Sequence, residues 1–464
     1  MSTFSALSQP QQLDRLCQLM DGPGSLDEVE RCLADLDEST RPWRVAEFAI
    51  RLKDAQRYGD AVALLQRCFD PSNEHHHYQL GLCLSYAQRQ HDAQEPLQKA
   101  FEMSGGGNPL VAQDHLINLA QLGHLAEARD ALTHLKTVDV VPREELERLG
   151  ALIELLALHP PQQILDRLEA AFSGREWWGV DQVLAHLRVS LRHQEGFAFF
   201  RLDDGEGSNL PWDSSAMQAS SALLNHNRDI FLGHWFGEDG IAPALSSGWS
   251  GIQSELADAA QHVDLIGLNA PKRFRHELAV NSSRGIPSIL NTYLWTLLAE
   301  TQNSLPPLIC RAQMHFELGL ASDRFFDVIR MAKSVHVISS REAFADLIQR
   351  VLPTTDVEFM PIPGERLRVS ESGDTTIEAE ASSHYPIRYQ AILEGIDASA
   401  KPGSLWLIGA GLLAKIYCMR VRQNGGVALD LGSLVDLYAG VNSRGFPPQL
   451  VQRVAAKVAE VKAG

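Results

Sequence analysis

Three carboxylates and two glycines stand together at Asp203-Asp204-Gly205-Glu206-Gly207, directly after the aromatic run GFAFFRL at 196–202. Such a run reads as a strand, and in parallel α/β sheets ligands bind beyond the carboxyl ends of strands. Asp204 and Glu206 are ionised at neutral pH and offer the hard oxygens that Mg²⁺ or Mn²⁺ takes. Gly205 and Gly207 let the backbone turn and approach a ligand. A divalent ion held there would bridge to a nucleotide diphosphate and offset charge on the leaving group. The same acid-x-acid spacing recurs at Glu28/Glu30, Asp35/Asp37, Glu145/Glu147 and Glu378/Glu380, but in helical patterns or a polar loop. A plain acidic turn is therefore the competing reading. Acids on an exposed turn contribute little to stability, so alanine at either position is expected to stop catalysis without moving the melting temperature.

A second constellation is SLWLIGAGLLAKIYCMRVRQNGGVALDLG at 404–432. It reads strand, Gly409-x-Gly411-x-x-Ala414, helix, Gly425-Gly426, strand, Asp430. That order matches the dinucleotide-binding fingerprint, with Asp430 nineteen residues beyond Gly411 in the ribose-binding place. A helix starting after glycines suits a phosphate, to which Lys415 and Arg201 would add charge. Both cations read equally well as solvated surface charges. Only 34 residues follow Asp430, with one helical pattern and no clear strand. The unit is thus expected to be the last βαβ of a sheet begun upstream. His315 and Glu317 in MHFEL follow a strand and could supply a general base, although a histidine packed beside the sheet is the simpler reading. His75-His76-His77 point to different sides of a helix, which suits a repeat's first turn better than a metal. Trp177-Trp178 read as core between domains.

The elements that must position these residues fall into two regimes. Up to about residue 195 every periodic segment is helical, as in the stripe Leu13, Leu16, Cys17, Met20, followed by a capping-box start at Ser25 and Glu28. From about 43 the helices pair with a period. Ala61 recurs as Ala93 and Ala128, Cys68 as Ala100, and Ala49, Gly81 and Leu116 stand twelve residues before each alanine. Over 43–136 this resembles the tetratricopeptide repeat, from whose small-residue pattern Leu116 departs. Helices at 143–158, 162–173 and 176–193 are expected to extend or cap the array. After 195, short apolar strands are expected at 196–202, 262–268, 307–311, 334–339, 357–362, 404–409 and 427–431, alternating with helices. The fold class is accordingly α + α/β: an all-helical repeat-like array over 1–190, then a doubly wound, mainly parallel α/β domain over 195–464. The polar run 368–384 reads as a mobile loop, a candidate lid.

With R-L-D-D-G-E near the start of that domain and G-A-G-L-L-A-K…L-D-L-G-S near its end, the chain resembles the GT-D fold glycosyltransferases. That bacterial family carries its D-x-E motif in an R-x-G-D-G-E setting. The pieces VDLIGL, RAQMHFELGL and HVISSREAF are similar to its strand-and-loop order, so the resemblance spans about 195–440. It implies a transferase using a nucleotide sugar, UDP-sugar first, and a divalent metal, commonly Mn²⁺. Asp204 and Glu206 would then be the metal and diphosphate site, with Arg201, Gly205, Gly409, Gly411, Lys415 and Asp430 around the donor. The helical repeats would recruit a protein or glycan acceptor. Two departures are visible: Asp203 stands where the motif usually has glycine, and Gly432-Ser433 replaces Gly-His. Two other readings stay open: a nucleotide-cofactor oxidoreductase or methyltransferase built on 404–432, and a non-catalytic repeat scaffold.

The bulk properties set outer bounds. A chain of 464 residues, 45% hydrophobic and 21% charged, suits two or three globular domains. With 58 acidic against 41 basic side chains the formal charge is −17, which disfavours nucleic acid as a partner. Six cysteines without a C-x-x-C suit buried thiols in a reducing compartment. No secretory signal pattern and no transmembrane segment are read, so the expected location is cytoplasmic.

Overall fold

Small residues at a fixed period bring helices together in pairs in the first part of the chain. In the computed structural model these are Arg41–Asp54 with Tyr58–Arg67, Glu74–Tyr86 with Gln90–Ser104, and Pro109–Gln121 with Leu125–Val138. Ala61, Ala93 and Ala128 are wholly buried. At Gly81 a Cβ would lie 2.6 Å from Leu97 Cγ, so only glycine lets those two helices touch. A left-handed residue closes each pair, Gln56 (φ 61°), Gln88 (φ 60°) and Gly123 (φ 79°), always at the same distance before the alanine. Asn73 and Asn108 cap successive repeats, each accepting two backbone N–H groups of the following helix. The three histidines form the first turn after Asn73, as expected. The buried His76 accepts the Asp70 N–H on Nδ1 (3.0 Å), so its Nε2 donates to the Pro42 carbonyl (2.7 Å).

The structure describes all residues except 1–3, 22–25, 139–140, 212–220, 280–284, 365–383, 445 and 464. The side chains of Asp21, Asp204, Gly205, Ser221, Ala222 and Glu238 also lie outside the description, as does Ser25 of the expected capping box and nearly all of the candidate lid. Two units emerge: Met1–Gln163 with Lys272–Ile286, and Ile164–Pro271 with Pro287–Gly464. The division therefore differs from 1–190 and 195–464 in two ways. The inserted segment 272–286 goes with the repeats, where the Leu278 carbonyl accepts from Gln121 Nε2 at 2.7 Å. The stretch 164–194 goes with the sheet.

The second unit is built on one eight-stranded sheet in the order β1-β4-β3-β2-β8-β7-β5-β6. The strands are β1 Trp177–Trp178, β2 Phe197–Arg201, β3 Leu265–Leu268, β4 Leu308–Arg311, β5 Ser334–Ser339, β6 Val357–Pro361, β7 Ser404–Gly409 and β8 Val427–Asp430. Every pairing is parallel. Alternate residues explain why helices cover both faces. Phe197, Phe199, Val335, Val337, Leu405, Leu407, Val427 and Leu429 share one core with helices Val180–His193, Glu342–Val351 and Pro448–Ala463. Ala198, Phe200, Trp406, Ile408 and Ala428 are equally buried on the other face, where helix Ala414–Gln423 packs on β2.

Two expectations are corrected here. Trp177-Trp178 are not core between domains but the edge strand β1, in register with Ile309 and Cys310 of β4. Two residues are too few to show a period of two. The helix expected at 176–193 to cap the repeats instead buries Val183, Leu184, Leu187 and Leu191 on the sheet. Its apolar stripe has the same period either way, so the stripe could not reveal its partner. Among the described residues no helix is long and apolar enough to cross a membrane, and all six cysteines are free.

Candidate functional site

The chain runs from β2 outward through β3 to β4, then crosses to β5 and returns through β7 to β8 at the side of β2. The order reverses between β2 and β8. In an open parallel sheet that reversal opens a crevice beyond the carboxyl ends, the usual ligand position. Both sequence constellations end there: Arg201 to Gly207 follow β2, and Asp430 to Gly432 follow β8.

After β2 the chain enters a short helical turn, Asp204–Gly207. Glu206 reaches back with Oε2 to accept the Asp203 N–H at 3.0 Å, the backward half of a capping box. This gives the acidic run a local structural cause that its D-x-x-E spacing could have signalled. The other Glu206 oxygen, Oε1, lies 2.5 Å from Lys415 Nζ. Lys415 sits in the first turn of helix Ala414–Gln423, and helical side chains lean toward the N-terminus, here toward the strand ends. Its ammonium also meets Asp430 Oδ2 at 2.9 Å and donates to the Gly411 carbonyl at 3.1 Å. The ammonium is thus hydrogen-bonded to one carbonyl and ion-paired with two carboxylates, although Asp430 Oδ2 accepts no hydrogen bond among the described residues, and Lys415, Glu206 and Asp430 are all buried. Burial works against the charge on Lys415, but Asp430 and Glu206 outweigh it and hold the ammonium above its ordinary pKa. Burial likewise opposes ionisation of Glu206, yet Lys415 and Arg201 keep it below the ordinary value.

Around this ion cluster lie further polar groups. Arg201 pairs with Asp203 across 3.3 Å, and Asp203 Oδ1 accepts from Asn269 Nδ2 at 3.1 Å. Asn269, at the carboxyl end of β3, is 1% exposed, and its Oδ1 has no partner. Turning the amide over would set that oxygen against the Asp203 carboxylate, so its orientation is fixed. Gly432 adopts φ 49°, and a Cβ there would collide with the Arg201 guanidinium. Its N–H donates to Asp430 Oδ1 at 3.0 Å. His315, also buried, lies 3.1 Å by Nδ1 from the Ala312 carbonyl, to which it must donate, and its ring meets Phe316 at 4.0 Å. Burial and the nearby Arg201 charge push its pKa well below the ordinary value, so it is a neutral histidine packed beside the sheet.

Several expected roles change with this geometry. Glu206 is not an acid on an exposed turn but a buried partner of lysine. Lys415 is neither a phosphate hand nor a surface charge. Asp430 is 0% exposed and holds Lys415 and the Gly432 amide, so its carboxylate is not turned toward a ribose. A Cβ at Gly409 would lie 3.0 Å from Val435 Cγ2 and 3.2 Å from the Gly432 carbonyl, a tight fit; Gly411, at φ 56°, has Trp235 Nε1 at 3.2 Å from its would-be Cβ. Both glycines answer to the protein's own packing. The 404–432 unit is the terminal βαβ, since no strand follows β8 among the described residues. Asn269 and Gly432 went unnoticed as site residues. Only the abrupt change from VDLIGL to a polar Asn at a strand end marks the first in the sequence.

A divalent ion on Glu206 does not fit this arrangement. Both carboxylate oxygens are engaged, and an ion beside Lys415 would meet its ammonium, a repulsion of roughly 8 kcal/mol at about 4 Å and an effective dielectric near 20. Among the described residues no group of three or more His, Cys, Asp or Glu side chains is placed to hold a metal. Asp204 lies outside that statement, because its side chain is not described. No protein-family model matches the chain, and no curated protein matches it.

Proposed function

We propose that the protein is a glycosyltransferase that takes a sugar from a nucleotide-diphosphate donor bound over the carboxyl ends of β2, β3 and β8. The observation that carries the reading is the convergence at the strand-order reversal of two segments more than 200 residues apart in the sequence, R-L-D-D-G-E and the G-A-G-L-L-A-K…D-L-G unit. These are also the segments through which the chain resembles the GT-D fold transferases. Arg201 supplies a positive group beside the crevice, and the Asn269 acceptor and the backbone around Gly409 to Gly411 complete its polar lining. The buried, internally paired Asp430 supports this reading over an adenine-dinucleotide enzyme. The free thiols suit a reducing compartment. The repeat unit recruits the acceptor, protein or glycan. Its support is the extended surface such stacks present, and the exposure of Trp43 and Leu110 (60% and 63%) in the first turns of their helices.

Calorimetric titration of the whole chain with UDP-sugars, NAD and S-adenosylmethionine tests the donor. Saturable binding of a UDP-sugar, weakened at least tenfold in Arg201→Ala, is the expected result. Binding of NAD or S-adenosylmethionine with silence from every sugar nucleotide would overturn the transferase reading.

A further inference from the structure

We propose that Lys415 is the resident cation of this site, holding between Glu206, Asp430 and the Gly411 carbonyl the place a divalent ion would need, so that the site works without a metal. The proposal rests on the transferase reading only for what the site is used for. Its evidence is geometric.

Three oxygens from three elements converge on Nζ: Glu206 Oε1 at 2.5 Å, Asp430 Oδ2 at 2.9 Å and the Gly411 carbonyl at 3.1 Å. Two carboxylates and a carbonyl are the hard-oxygen set that Mg²⁺ or Mn²⁺ selects. Here the positive charge is covalently attached and enters from the helix that begins just after the Gly411 turn. It cannot dissociate, be chelated or exchange. The Lys415 side chain is 1% exposed, and its ammonium lies against these three oxygens, so it serves as a positioning group rather than one that touches substrate. It fixes the Glu206 carboxylate that accepts the Asp203 N–H. Asp203 in turn anchors Arg201 and Asn269. The buried Asn269 Oδ1, without a partner, points to a ligand that donates a hydrogen bond, such as a hydroxyl. Lysine thus orders a recognition surface that metal-dependent sites order with the ion itself.

The test uses Mn²⁺ alone, with no nucleotide, on the full chain. Wild type and Glu206→Gln are titrated with MnCl₂ by calorimetry and by melting temperature. Neither protein is expected to show saturable Mn²⁺ heat or a Mn²⁺-dependent shift from its own metal-free melting temperature. A micromolar Mn²⁺ site present in wild type and lost in Glu206→Gln would overturn the proposal. Lys415→Ala vacates the oxygen set and is expected to gain at least a tenfold tighter Mn²⁺ affinity than wild type. A Lys415→Ala chain with native near-ultraviolet dichroism and no gain would show that the position does not accept a cation, and would also overturn it. A structural lysine alone would not confer metal binding on being removed. Because no sugar nucleotide is present, failure here leaves the transferase reading standing, and a chain that binds no donor leaves this result intact.

Discussion

At the scale of single residues, the same carboxylate does opposite things depending on what lies across the crevice. Glu206 on a solvated turn would be dispensable to folding; Glu206 against Lys415 is not. Removing one partner of a buried pair leaves the other charge without compensation, and such losses run to about 3–5 kcal/mol. Asp430 still faces Lys415, which places Glu206→Ala near the lower figure. For a unit of this size that corresponds to a fall in melting temperature of roughly 5 °C. Glu206→Gln keeps the shape but has one oxygen for the two contacts, so its NH2 faces either Lys415 or the Asp203 N–H, and it is expected to lose most of the same stability. Scanning calorimetry of the two variants checks this. Equal melting temperatures for wild type and Glu206→Ala would mean the carboxylate is solvated after all.

At the scale of elements, close approach is decided by atoms that are absent. Gly81 lies inside helix Glu74–Tyr86, where alanine would ordinarily gain about 1 kcal/mol of helix propensity. Its would-be Cβ meets Leu97 Cγ at 2.6 Å, Leu97 Cδ2 at 2.7 Å and the Leu97 backbone N at 3.3 Å. A rotamer change cannot clear all three, because one belongs to the backbone. Overpacking of this kind costs about 1–3 kcal/mol, so the collision outweighs the propensity and Gly81→Ala is expected to destabilise the chain. Alanine at Gly59 meets nothing within 4 Å and serves as the control. Chemical denaturation of both variants gives the comparison; a Gly81→Ala midpoint at or above wild type would refute the packing argument.

At the scale of the whole molecule, the position of Val180–His193 decides which fragment can stand alone. A chain starting at 196 keeps the strands from β2 onward but loses β1 and the helix that buries Val183, Leu184, Leu187 and Leu191 beside Phe197 and Phe199. It is expected to bind a hydrophobic dye and to lack near-ultraviolet dichroism. A chain starting at 164 retains that cover and is expected to show native-like dichroism and resistance to limited proteolysis. Identical behaviour of the two fragments would mean the helix is not part of the sheet unit's core.

What the sequence alone determined is what local periodicity can carry. A period of 3.6 marks the paired helices, and their small-residue spacing marks the repeat. Short apolar runs place seven of the eight strands, β5 and β7 to the residue. The glycine–helix–aspartate order of 404–432 identifies a terminal βαβ. Strand order, the partner of Val180–His193 and the two-residue β1 depend on which surfaces meet, and a stripe of leucines does not name its partner. The site depends on this most. Glu206, Asn269, Lys415 and Asp430 come from four separated stretches of chain and meet only because the sheet reverses order between β2 and β8. Charge type was legible in Glu206, Lys415 and Asp430, but whether a carboxylate faces water, a metal or a lysine is a property of the space around it, which only the tertiary structure supplies.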